Sequence, residues 1–117
     1  MDSETTILDL KKAVDKFVME RDWKQFHNPQ DLAVSISIES SELLEIFQWN
    51  IRKEMPDNKL EEVKKELADI VIYSISMANA LNIDLSTAIL NKIKENSIKY
   101  PVEKAKGNAK KWTELRE

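Results

Sequence analysis

The chain contains no cysteine, one glycine, one histidine and three prolines in 117 residues. Without cysteine there is no disulfide framework, zinc–thiolate site or thiol nucleophile. A single glycine, Gly107, excludes a Gly-rich phosphate loop. A di-iron bundle needs a Glu-x-x-His on each of two helices, and His27 is alone. A serine-hydrolase triad would have that same histidine as its one candidate base, with no supporting pattern. No apolar run approaches the roughly 18 residues of a membrane span. The first residues, Met-Asp-Ser-Glu, are acidic and unlike a signal peptide. A soluble, cytoplasmic protein without a membrane partner is therefore expected. The net charge of −3 argues against a general binder of nucleic-acid polymers.

What remains is 42% hydrophobic and 33% charged, with few helix breakers. That composition predicts an all-α protein of one domain, spanning residues 1–117. Ile7, Leu10, Val14, Phe17 and Val18 form a helical stripe that predicts a first helix over 5–21, capped by Ser3 or Thr5. Residues 22–31 break the pattern, with Asn28-Pro29 as a turn signal and Asp31 as the next cap. Trp23, Phe26 and His27 in this segment either staple it to the core or contact a ligand, since a planar base stacks on such side chains. A second helix is expected over 32–54, ended by Pro56. Phe47 and Trp49 near its end are core residues or ligand contacts.

A third helix is expected over 59–81. Its second half, Leu67 to Leu81, lacks a strongly charged side apart from Asp69. A helix apolar on most sides is buried on most sides, and a chain this short has little room for that, so an oligomer interface is expected. A fourth helix over 84–99 takes Asp84 or Ser86 as cap and ends at Tyr100-Pro101. From Lys92 onward there are eight Lys or Arg against four Glu, a net of +4 in an otherwise acidic protein. Lys92, Asn96 and Lys99 share one side of that helix. Lys110, Lys111 and Trp112 are expected to fold over the site.

Two stretches concentrate acids on apolar faces. Glu39 and Glu42 lie about 60° apart on one side of their helix, among Leu32, Ile36, Leu43 and Ile46. Val63, Ile70, Tyr73, Met77 and Leu81 surround Glu66 and Asp69 in the same way. Four carboxylates are thus aimed at the core or at a cleft in it. Neither stripe carries a Lys or Arg to pair with them. A buried carboxylate costs several kcal/mol unless it is paired or bound to a metal, and oxygen ligands suit Mg²⁺, with Mn²⁺ as a substitute. Glu61 and Glu62 have no such surroundings and are expected to be solvated. Metal-binding acids opposite a lysine and asparagine face point to phosphoryl chemistry.

Glu39-x-x-Glu42 followed by Glu66-x-x-Asp69 resembles the signature of the all-α nucleoside-triphosphate pyrophosphohydrolases, the MazG superfamily. Arg21 to Pro29, Leu44 to Trp49, Lys92 to Pro101 and Gly107 to Glu114 are similar to its dCTP pyrophosphatase branch. The resemblance covers roughly residues 7–115. It implies a four-helix bundle protomer with an extended basic C-terminal segment, assembling as a dimer or, in this branch, a dimer of dimers (a homotetramer). It implies Mg²⁺-dependent hydrolysis of a nucleoside triphosphate to monophosphate and pyrophosphate, on dCTP or a related or modified pyrimidine nucleotide, cleansing the nucleotide pool. Glu39, Glu42, Glu66 and Asp69 would be the metal ligands and catalytic acids. Lys92, Asn96, Tyr100 and Lys110 would bind the triphosphate or sugar. Trp23, His27 and Trp49 would line the base pocket, with Tyr73 near the sugar. The alternative is a helical oligomerisation or regulatory nucleotide-binding module that has lost catalysis.

Overall fold

A capping box starts the first helix, α1 (Ile7–Glu20): the Thr6 hydroxyl accepts from the Asp9 amide while the Asp9 carboxylate accepts from the Thr6 amide. This corrects the expected cap. Ser3 plays no part, and the Thr5 hydroxyl accepts instead from the terminal ammonium. The computed structural model in which this is seen describes residues 1–50 and 54–116.

Five helices and one 3-10 turn, with no strand among the described residues, make the chain all-α. α1 closes with Asp22 in the left-handed region (φ 54°), and the Trp23 amide reaches back to the Val18 carbonyl at 3.1 Å. That closure satisfies carbonyls left open at a helix end. A single 3-10 turn over Lys24–Phe26 then leads to α2 (Pro29–Ile46). Asn28, not Asp31, caps α2; its side chain accepts from the Asp31 amide, and Pro29 occupies the first turn, where a missing N–H costs nothing.

α2 begins before residue 32 and stops well short of 54. Trp49 takes φ 66°, which no helix continues through and which costs a non-glycine residue about 1–2 kcal/mol. The Asn50 side chain donates to the Glu54 carbonyl at 2.9 Å, giving the backbone an alternative to the helical ladder. The expected helical residues 51–53 lie outside the described residues.

α3 (Leu60–Ala80) packs against both α1 and α2. Val18, Leu32, Ile75 and Ala78 are its shared core. α3 closes as α1 does, with Asn82 at φ 53° and the Ile83 amide bonded to the Ala78 carbonyl at 2.9 Å. Two tertiary bonds fix this end to α1: Lys11 Nζ donates to the Ile83 carbonyl (2.7 Å), and Asn79 Nδ2 donates to the Lys11 carbonyl (3.1 Å). On its other side α3 leaves Leu67, Val71 and Ile72 exposed.

Residues Met1–Ile83 form one compact unit and the chain from Asp84 onward forms a second. The second holds α4 (Leu85–Lys99), capped by Asp84 through the Thr87 amide, and a short α5 (Val102–Ala105). Its C-terminal part is organised around Trp112, with Lys99 and Arg116 over the ring at 5.2 and 4.8 Å. Among the described residues no helix is long and apolar enough to cross a membrane.

Candidate active site

Packing of α2 on α3 brings carboxylates from both helices together. One oxygen each from Glu39, Glu42 and Glu66 lies within 4.8 Å of the other two. Asp69, one turn beyond Glu66, adds its charge to both Glu39 and Glu66, and Glu45 adds its own to Glu66. Glu39, Glu66 and Asp69 are half-buried, while Glu42 is exposed. None of Glu39, Glu42 and Glu66 forms an ion pair with Lys or Arg among the described residues.

Such a cluster is unfavourable as it stands. Burial, then the Glu42 carboxylate and the charges of Asp69 and Glu66, push the Glu39 carboxyl up to about 7. Burial and Glu42 likewise raise Glu66. Oε2 of Glu39 and Oε2 of Glu66 are buried without a hydrogen-bond partner among the described residues. A buried polar atom left unpaired is costly, and a hard divalent cation is the partner that three converging carboxylate oxygens suit. The residues present therefore fit Mg²⁺ or Mn²⁺.

The raised Glu39 sets a pH dependence. Between the ordinary carboxylate value of 4.5 and about 7, the folded protein holds a proton that the unfolded chain has released. Stability without metal therefore falls as pH rises through that window. Thermal melts in chelator should show the midpoint dropping by a few degrees from pH 5 to pH 8, and a flat or rising midpoint would remove this cost from the cluster.

Beside the cluster lies a cleft of about 590 Å³ lined by Glu42, Glu45, Ile46, Lys59, Glu62 and Glu66. Glu62 is exposed as expected, and it also lines this cleft. Lys59 Nζ lies 3.1 and 3.3 Å from its two oxygens. Glu61 stands as expected on the surface, paired with Lys64. Glu45 and Glu62 were within reach of the sequence, being three residues after Glu42 and four before Glu66.

A second pocket, of about 280 Å³, opens between α1, the 3-10 turn and α3. Val14, Val18 and Ala80 supply its apolar wall; Asp15, Lys24, His27, Ser76 and Asn79 supply polar groups. Lys24 and Asp15 pair at 3.2 Å. Of the expected base-contacting residues, His27 lines this pocket. Trp23 packs edge-on against Phe17, ring centres 5.6 Å apart, so it does staple its segment to α1. Trp49 is 90% exposed, which overturns its reading as a core residue. Tyr73 is half-buried on α3, one turn past Asp69.

Lys92, Asn96, Tyr100 and Lys110 belong to the second unit. Lys92 and Lys99 share Glu95, each at 3.2 Å, and together they hold its carboxyl below the usual range. The basic face therefore carries an acid, Glu95, at its centre. Tyr100 caps α4 through its amide to the Asn96 carbonyl, and Lys110 is exposed.

Comparison with known proteins agrees with this architecture. Residues 34–115 match the MazG-like family. dCTP pyrophosphatase 1 of Mus musculus is 35% identical over 96% of this chain and 69% of its own length. The Bos taurus protein of the same name is 36% identical over 97% of this chain and 70% of its own. The crystal structure of a pyrophosphatase from Archaeoglobus fulgidus superposes with a TM-score of 0.73 at 38% identity, covering 77% of this chain and 87% of that one. The chain belongs to the MazG-like family.

Proposed function

We propose that this chain, a nucleoside triphosphate pyrophosphohydrolase, acts on dCTP or a related or modified pyrimidine nucleotide. Water attacks between the α and β phosphates, giving the nucleoside monophosphate and pyrophosphate. The observation that carries the reading is the convergence of Glu39, Glu42 and Glu66 beside a cleft, with a buried, unpartnered oxygen on Glu39 and another on Glu66 among the described residues. Names of the relatives supply the nucleotide, since the mammalian proteins are dCTP pyrophosphatases.

In this reading Glu39, Glu42, Glu66 and Asp69 hold Mg²⁺, with Mn²⁺ as a substitute. When bound, the cation polarises the phosphate oxygens and lowers the pKa of water. One carboxylate of the cluster, or Glu45 beside it, orients the attacking water. The half-buried His27 places the base in the 280 Å³ pocket, and Tyr73 stands near the sugar. Lys92, Asn96, Tyr100 and Lys110 take up phosphate charge and sugar contacts. Residues 1–117 then act as one domain, a four-helix bundle with a basic C-terminal segment. Exposed Leu67, Val71 and Ile72 on α3 favour self-association as a dimer of dimers. Such a pool-cleansing enzyme works in the cytoplasm.

The test is a panel of nucleoside triphosphates with Mg²⁺, resolving monophosphate and pyrophosphate from diphosphate and orthophosphate. Monophosphate plus pyrophosphate is the expected result. No turnover of any nucleotide by the folded protein would move the assignment to an inactive nucleotide-binding module.

Trp49 gives a separate prediction. It buries little of its surface, so Trp49→Ala should leave the melting temperature within about a degree. It should raise KM for dCTP by about tenfold through lost stacking. A fall in melting temperature with unchanged KM would make Trp49 structural.

A further inference from the structure

The pocket against α1 contains an acceptor whose direction is fixed. Asn79 Nδ2 donates to the Lys11 main-chain carbonyl at 3.1 Å. A carbonyl oxygen only accepts, so the end of the amide facing it is the nitrogen. Lys11 is itself held, because its ammonium donates to the Ile83 carbonyl at 2.7 Å. Turning the Asn79 amide would set two carbonyls against each other across this seam. Its Oδ1 is therefore the free end, and no donor reaches it among the described residues.

Ser76, one turn earlier on α3, is buried and lines the same pocket. Ser40, Ser41, Ser74 and Ser97 each spend their hydroxyl on the carbonyl four residues back. Ser76 makes no hydrogen bond with its hydroxyl among the described residues, so it can give or accept one in the pocket. Ser76 also lies two helical turns from Asp69 on the same side of α3, about 10 Å along the axis. That spacing suits a nucleotide with its phosphates at the acids and its base at Ser76 and Asn79.

We infer that Asn79 is a specificity-determining residue: its Oδ1 accepts from the exocyclic amine of an amino-bearing base and opposes a keto oxygen at that position. Ser76 meets a neighbouring polar atom of the ring and adapts to it. The inference rests on the reading that this chain hydrolyses nucleotides with the base in this pocket. The recognised chemistry is the amine, which cytosine and adenine share. Uracil has the shape of cytosine with an acceptor in place of the donor, and a fixed acceptor on the half-buried Asn79 facing it is left unpaired.

The experiment measures kcat/KM for dCTP, dUTP, dATP and the deoxynucleoside triphosphate of 2-pyrimidinone, which carries hydrogen in place of the cytosine amine. Wild-type protein should favour dCTP over dUTP by about 30-fold or more and over the 2-pyrimidinone nucleotide by about tenfold. Asn79→Ala should bring both ratios within about threefold, mainly by raising KM for dCTP. A dATP rate that is high in wild type and falls in Asn79→Ala would support the amine and name adenine as a second base. Lys11→Met removes the bond to Ile83 from the same seam and leaves Asn79 in place, so it should lower the melting temperature without moving the ratios. Ratios unchanged in Asn79→Ala would overturn the inference, as would ratios moved equally by Lys11→Met. Should Asn79→Ala not fold, equal turnover of dCTP and the 2-pyrimidinone nucleotide by wild type would overturn it alone. Absence of turnover with every nucleotide would instead defeat the proposed function.

Discussion

Glu42→Gln is expected to lower kcat by about a thousandfold or more while the protein stays folded. Burial raises the Glu39 and Glu66 carboxyls most, and the Glu42 carboxylate beside them raises both further. Neutralising it removes a ligand charge from the cation site, where electrostatic stabilisation is worth most. It also removes repulsion, so without metal the variant should melt a few degrees higher than wild type at pH 8. Asp69→Asn should act in the same two directions. The paired readout, rate with Mg²⁺ and melting temperature in chelator, separates this from unfolding. Unchanged activity in either variant would remove the proposed metal site.

Metal removal should have an effect as large. Chelation is expected to abolish turnover, and added Mg²⁺ or Mn²⁺ to restore it. The same cations should raise the melting temperature, and more at pH 8 than at pH 5.5. The sign follows from Glu39, whose proton, retained to about pH 7, must leave before the carboxylate can serve as a ligand. At the lower pH cation and proton compete; at the higher pH the cation relieves repulsion that is fully present. Equal shifts at both pH values would mean that the stabilising cation binds elsewhere.

The approach of Glu39, Glu42 and Glu66 was legible because helical periodicity fixes which residues share a face, and apolar neighbours say where that face points. The all-α class followed from the same periodicity and the lack of breakers. The end of α2 was not legible. It depends on the left-handed Trp49 and on the bond from Asn50 to the Glu54 carbonyl, neither of which leaves a mark in the hydrophobic pattern. The choice of Thr6 over Thr5 as cap turns on a reciprocal bond with Asp9, three residues on, a signal present in the sequence and passed over. Glu95 between Lys92 and Lys99 was legible in the same way. The pocket with Asn79 was beyond reach, because residues 68 apart in the chain make its seam.

In the proposed function the carboxylate cluster is a divalent-cation site that a nucleotide completes. The most direct test is Mn²⁺ binding followed by electron paramagnetic resonance at pH 8, with and without a dCTP analogue that resists α–β cleavage. Wild type should take up Mn²⁺, and the analogue should tighten it; Glu66→Gln, folded by circular dichroism, should lose most of that binding. Wild type that leaves Mn²⁺ free in solution with the analogue present, or Glu66→Gln that binds it as well as wild type, would contradict the account.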